Sequence, residues 1–315
     1  MKGLLHYRAS PGFVAALTKH AAKAGIEAAV VDEFDDEGLA REIADTDVLL
    51  HVLKPVTAAM MDAGPGLKLI QKLGVGVNTI DLEAARARGI AVANMPGTNS
   101  QAVAEMALAL MLAALRRLTY FDPLTRRGEG WRPDLTVLDG VGEIAGRTVG
   151  FVGYGGSATR VAPALKALGA EILYTARSPK PDQIGRFVAL DELLAASDIV
   201  SLHAPLTEAT RNLIDAAAIA KMKPGAVLVN TARGELVDQT ALTQALRSGR
   251  LGAAGLDVFS GEPVSPNDPL LALPNVVLAP HVAWLTPETL VRSLEVAMDN
   301  CTRLRDGRPL LNQVV

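Results

Sequence analysis

A single cysteine, Cys301, stands in a chain of 315 residues, so no intrachain disulfide can form and a reducing cytoplasm is the expected compartment. Cys301 falls in a helix-like segment near the C-terminus, where it is expected to pack rather than to react. Runs of Lys and Arg are also lacking. The formal net charge is −3 and the pI near 6.0, which argues against a nucleic-acid or membrane-surface binder. An anionic ligand would therefore need positive charge supplied locally. No uninterrupted apolar stretch is long enough to span a bilayer, and the N-terminal MKGLLHYRASPGF has no signal-peptide core, so a soluble, unexported protein is expected. Short-period repeats and low-complexity tracts are absent, which excludes a solenoid, and no metal site is expected.

What is present is a 49% hydrophobic, 21% charged composition and enough chain for about two domains. Short apolar runs alternate with amphipathic segments: GLLHY, FVAALTKHAAKAG, EAAVVD, DVLLHVL, LKLIQKL and IAVANM. This βαβ rhythm predicts a parallel sheet covered on both faces. QAVAEMALALMLAALRRL follows, a helix apolar nearly all round, with Ser100 as expected N-cap and Arg116 and Arg117 at its negative end. Such a helix must be buried on several sides, as a connection wedged between two domains or two subunits would be. TYFDPLTRRGEGWRPDLTVLDGVGE is rich in breakers and reads as an irregular arm, either an oligomer contact or a surface loop.

A second βαβ series begins at GRTVGFVGYGGSATRVAPALKALGAEILYTARS and continues through DIVSLHAP, AVLVNTA, LGAAGLDVF and NVVLAPH. The expected fold is α/β with two doubly wound parallel-sheet lobes: a Rossmann cofactor domain over 99–285 and a discontinuous, flavodoxin-like substrate domain over 1–98 and 286–315. Hinges are expected near 95–100 and 283–287, and the active site in the cleft. Val149 to Val152 runs into Gly153-Tyr154-Gly155-Gly156-Ser157-Ala158 and then a helix, the order a dinucleotide-binding turn requires. Gly153 permits the tight turn, Gly155 lets backbone approach a pyrophosphate, and Ala158 allows close packing of helix on strand. Alone, the pattern also suits a structural turn. After the next strand, Tyr174-Thr175-Ala176-Arg177-Ser178 has no acidic residue for two ribose hydroxyls. Arg177 and Ser178 suit a 2′-phosphate instead, so NADP(H) is the preferred cofactor and NAD(H) the alternative, with Arg177 then merely solvated.

Three strand ends carry chemistry: Arg233 in NTARGELVD, Glu262 in LDVFSGEP and His281 in LAPHVAWLT. A guanidinium could grip a carboxylate at two points and polarise a neighbouring carbonyl, although an interdomain ion pair would use the same residue. A carboxylate at Glu262 would favour the charged form of His281, and that imidazole could deliver a proton as hydride arrives at carbon. Taken singly, Glu262 also reads as a solvated turn residue and His281 as a structural histidine.

These residues resemble the D-isomer-specific 2-hydroxyacid dehydrogenases, which include glyoxylate and hydroxypyruvate reductases. The similarity runs through Leu73-Gly74-Val75-Gly76-Val77-Asn78, the turn at 153–158, Ser201-Leu202-His203-Ala204-Pro205, Asn230-Thr231-Ala232-Arg233-Gly234, Gly255-Leu256-Asp257-Val258-Phe259, Gly261-Glu262-Pro263 and Pro280-His281. The resemblance implies that Arg233 orients the substrate, His281 is the acid/base, Glu262 tunes it, and the backbone of Val75 and Gly76 receives the substrate carboxylate. It further implies that Gly155, Gly156 and Ser157 lie along the pyrophosphate, Pro205 near the adenosine, and Thr231 and Asp257 near the nicotinamide. Asp257 as a strand-end cap, and Val75-Gly76 as a plain turn, are the alternatives. Three departures stand out: Ser157-Ala158 where a bulky apolar residue then Gly is more usual, Asn78 where Asp is usual, and Thr175-Ala176 where NAD users place Asp. His281-Val282-Ala283-Trp284 looks like the variant found in hydroxypyruvate and glyoxylate reductases and in a related corepressor, with Trp284 lining the pocket or packing beneath it. The expected reaction is reduction of a small anionic 2-oxo acid to the D-2-hydroxy acid by a cytoplasmic homodimer, with no nucleic-acid or membrane partner. A nucleotide-sensing, corepressor-like protein and a phosphite or formate dehydrogenase are the other readings. Glu262 argues against formate, because the family's formate enzymes carry Gln there.

Overall fold

The computed structural model describes residues 1–181 and 184–315, and the chain divides into two compact units, 1–99 with 284–315 and 100–283. The first unit holds β1 (Lys2–His6), β2 (Glu27–Val31), β3 (Val48–His51), β4 (Leu69–Lys72) and β5 (Ala91–Ala93), all parallel in the order β2-β1-β3-β4-β5. Leu4, Leu5, Leu49, Leu50, Leu69 and Ile70 have no exposed surface, as strands covered on both faces demand. The helix Pro11–Ala24 starts at the Ser10 cap and stops at Gly25, whose φ of +67 suits glycine. Its Leu17 and Ala21 meet Leu294, Ala297 and Cys301 of the helix Pro287–Arg305 in one core. Burial pushes the Cys301 thiol up to about 12, so it behaves as a small apolar residue. Asn300, fully buried, donates to Gln71 Oε1 at 2.7 Å and accepts from Leu311 N at 2.7 Å, tying the C-terminal tail to β4.

The second unit holds β6 (Thr148–Val152), β7 (Glu171–Thr175), β8 (Arg186–Phe187), β9 (Ile199–Leu202), β10 (Ala226–Asn230), β11 (Leu251–Leu256) and β12 (Val276–Leu278). They form one parallel sheet ordered β12-β11-β10-β9-β6-β7-β8, so the strand order reverses between β6 and β9, the switch point where this architecture binds ligands. The helix Ser100–Leu115 lies against β10, β11, β12 and the helix Ala158–Ala167. Its own unit therefore covers much of the apolar surface for which a second domain or subunit was expected. Gly255 on β11 permits that approach, because a Cβ there would stand 2.8 Å from Leu110 Cβ. Ser100 is the first helical residue rather than a cap outside the helix.

The arm expected to be irregular contains two short helices, Leu118–Arg126 and Leu135–Leu138. Pro123 hid the first of them, yet an Asp122–Arg126 ion pair at 2.9 Å spans the turn around it, and Gly128 closes it with φ +80. Among the described residues no helix is long and apolar enough to cross a membrane.

Candidate active site

The glycine turn follows β6 at the switch point. Gly153 takes φ +89, and a Cβ there would lie 2.6 Å from Ala204 N, so only glycine fits between β6 and the exit of β9. At Gly155 a Cβ would meet nothing within 4 Å, which leaves an open face where a pyrophosphate could approach backbone. Gly156 is crowded instead by Ser100 Oγ at 2.7 Å, and Ala158 is fully buried. The Ser157 hydroxyl lies 2.9 Å from His203 Nδ1, whose Nε2 lies 2.9 Å from Ser201 Oγ. Burial pushes the His203 pKa down to about 4, so the ring is neutral and its two nitrogens take opposite roles, one donating to a serine hydroxyl and the other accepting from one. The family resemblance places Ser157 along the pyrophosphate and carries no sign of this bond.

At the end of β7, Arg177 and Ser178 are exposed, and Arg177 has no ion-pair partner among the described residues. Tyr174 stacks on Tyr154 with centroids 4.3 Å apart, and its hydroxyl accepts from Lys180 N at 3.0 Å. Pro205 is exposed, and its carbonyl accepts from Thr210 Oγ1 at 2.8 Å. Thr231, 8% exposed, has a buried hydroxyl with no hydrogen-bond partner among the described residues. An orphan hydroxyl past the end of β10 and an open glycine cradle past the end of β6, on the same edge of one parallel sheet, fit a dinucleotide.

Arg233, Glu262 and His281 all belong to the second unit. Asn230, the last residue of β10, holds the first: its Nδ2 donates to Arg233 O at 2.8 Å and its Oδ1 accepts from Ala232 N at 3.0 Å. A polar residue closing the apolar run AVLVN was the available signal for this role. Gly234 packs directly on the Phe259 backbone, with no room for a Cβ, so the Arg233 loop and the Glu262 loop are fixed to one another. Burial lowers the Arg233 pKa from its ordinary value, and the charges of Glu262 and Glu235 oppose that shift.

Glu262 Oε1 accepts from Phe259 N at 3.0 Å, and its Oε2 lies 2.6 Å from His281 Nδ1. Burial disfavours the Glu262 carboxylate, but the His281 hydrogen bond and charge, the Phe259 amide and Arg233 outweigh it and hold the pKa below its usual value. His281 itself takes φ +56, uncommon for a residue with a side chain. Asp257 secures that bend: its carbonyl accepts from His281 N at 2.8 Å, and its carboxylate oxygens accept from Val282 N at 2.8 Å and Ala283 N at 2.9 Å. Burial raises the Asp257 pKa and these two amides oppose the rise.

In the first unit, Val75 is 45% exposed on the turn after β4. Asn94 Nδ2 donates to Val75 O at 2.8 Å and Met95 N to Gly74 O at 2.9 Å. Asn78 is exposed on the same turn. Trp284, 8% exposed, packs edge-on to Tyr7 with centroids 6.1 Å apart.

A seven-stranded parallel sheet with a glycine cradle at its switch point, and a paired imidazole and carboxylate past the same ends of its strands, defines a Rossmann-type, nicotinamide-dependent oxidoreductase. The model of the D-isomer specific 2-hydroxyacid dehydrogenase NAD binding domain matches residues 108–283, and the chain belongs to that family. It is 40% identical to a glyoxylate reductase of Korarchaeum cryptofilum over 87% of this chain and 85% of the relative. A hydroxypyruvate reductase of Thermotoga maritima is 40% identical over 82% of this chain and 84% of its own length. The crystal structure of a glyoxylate reductase from Paecilomyes thermophila superposes with a TM-score of 0.84 at 30% identity, covering 100% of this chain and 98% of that one.

Proposed function

We propose that the protein reduces a small 2-oxo acid, glyoxylate or hydroxypyruvate, to the D-2-hydroxy acid, with NADPH preferred over NADH. The observation that carries this reading is the 2.6 Å contact between Glu262 and His281 Nδ1, one loop away from Arg233. A carboxylate accepts only, so Nδ1 donates to it and Nε2 is the nitrogen that gives a proton to the carbonyl oxygen. Arg233 orients the carboxylate and polarises the carbonyl. The amides of Val75 and Gly76 receive the substrate carboxylate, and Trp284 supports its unit by packing on Tyr7. When bound, the reduced nicotinamide supplies the hydride. Gly153, Gly155, Gly156 and Ser157 hold its pyrophosphate, Pro205 the adenosine, Thr231 and Asp257 the nicotinamide, and Arg177 and Ser178 the 2′-phosphate. Relatives named glyoxylate and hydroxypyruvate reductase support the substrate class. An acyclic imino acid reductase of this fold, solved with NADPH and 26% identical to this chain, supports the cofactor.

The test is loss of NADPH absorbance across a panel of 2-oxo acids, wild type against His281→Ala. The variant is expected to lose roughly 10²–10⁴-fold in kcat with cofactor affinity unchanged. Near wild-type turnover would remove His281 as the acid, and cofactor binding without turnover on any acid would favour a nucleotide sensor.

A further inference from the structure

Lys72 is the last residue of β4 and only 5% exposed. Lysine is rarely buried, because an ammonium taken out of water needs partners that recover its hydration. Sheet register sets Lys72 beside His51, and His51 beside His6, so three neighbouring strand ends carry basic side chains in a row on one face. Both histidines lie below the ordinary imidazole pKa. Burial is the main cause for each, joined at His51 by the charges of Lys72 and His6, and at His6 by Lys54 against Asp36 and Asp32. His51 Nε2 is bonded to Thr79 Oγ1 at 2.8 Å, and the charge of Lys72 is one of the causes that hold His51 low.

The Lys72 ammonium donates to the carbonyl of Val52, just past β3. Its stem runs beneath Gly74, where an added Cβ would lie 3.4 Å from Lys72 Cε. Gly74 opens the turn of Val75 and Gly76, whose carbonyls on the near side are tied down by Met95 and Asn94. The amides of Val75 and Gly76 have no hydrogen-bond partner among the described residues. Two N–H groups left open on a turn that packs on the Lys72 stem make a stronger anion site with a lysine charge beside them than alone, because a charge inside protein is screened far less than one in water. The chain as a whole has a formal net charge of −3, so the attraction has to be this local.

We propose that Lys72 is a positioning residue for the substrate carboxylate: its buried charge strengthens the Val75–Gly76 turn as an anion site, and its bond to Val52 fixes that turn. This rests on reading the turn as the carboxylate site. Oxalate, a dianionic mimic of a 2-oxo acid, is the probe, measured as a competitive inhibitor against glyoxylate. Lys72→Met and Lys72→Gln should each raise the oxalate Ki and the glyoxylate KM by on the order of tenfold, with kcat and cofactor Kd little changed. Gln keeps a donor for Val52 but no charge, so a folded Lys72→Gln with wild-type Ki overturns the proposal, even if Lys72→Met fails to fold. Methylglyoxal, a neutral carbonyl substrate, should keep its kcat/KM in both variants. An equal loss there would mark structural damage and overturn the charge role. Val75→Pro, which deletes one amide donor, separates the two ideas. Should it leave the oxalate Ki unmoved, the carboxylate site itself is wrong; should it raise Ki while neither Lys72 variant does, only the role of Lys72 falls.

Discussion

At His281 the backbone adopts φ +56, and Asp257 holds the bend through three hydrogen bonds. A non-glycine residue in that region costs on the order of 1 kcal/mol and persists where its surroundings over-determine it. Glu262 then completes the orientation from the side chain. Because the Glu262 pKa is lowered in the folded state, the contribution of the pair is fully present above the unfolded carboxylate pKa and lost as pH falls through the folded one. Glu262→Gln is therefore expected to cost about 1 kcal/mol at neutral pH, a partly exposed charged hydrogen bond being discounted for solvent. Urea denaturation should show that cost vanish in acid, and a difference independent of pH would contradict it. Arg177→Asp belongs to the same scale: it should shift the NADPH to NADH preference by about tenfold or more, measured as the ratio of kcat/KM values. An unmoved ratio would mean that the 2′-phosphate is read elsewhere. Arg233, Glu262 and His281 were legible as candidates because each stands where an apolar run meets a loop. Asp257 as a triple anchor and the Ser157–His203 contact were not, since their partners lie 25 and 46 positions away and nothing local marks them.

Among the elements, the strands were the most legible, because Val-, Leu- and Ile-rich runs between turn residues suit strands buried on both faces. β8 escaped, being two exposed residues, Arg186 and Phe187, with too short a pattern to read. The arm escaped for a different reason: breaker content outweighed the local ion pair that sustains its first helix. The 3-10 turn Gly234–Leu236 shows what sequence pattern alone withholds. Its glycine serves no unusual φ, yet a Cβ would collide with the Phe259 carbonyl carbon. Gly234→Ala should therefore push apart the loops of Arg233 and Glu262, costing about 2–3 kcal/mol in stability as well as activity. Thermal melting and kcat/KM read both, and a variant normal in each would show that the loops are not coupled there.

For the whole molecule, the apolar surface left on the arm is the feature to explain. Trp131 is 81% exposed, Leu135 74% and Leu118 52%, more large apolar side chains than one short stretch leaves in water without a use. A subunit contact in a homodimer is our proposal for it. Light scattering is expected to give a dimer for the wild type and a monomer for Trp131→Glu combined with Leu135→Glu; a monomeric wild type would end the idea. The sequence by itself determined the two parallel sheets, the glycine turn, the chemical types at three strand ends and the family, because hydrophobic period, φ-permissive residues and ordered motifs are local properties of a chain. Tertiary structure decided which side chains meet. Glu262 aligns His281 across 19 positions, and β4 slides a buried lysine beneath Gly74, because parallel pairing and close packing join residues whose neighbourhood no local pattern records.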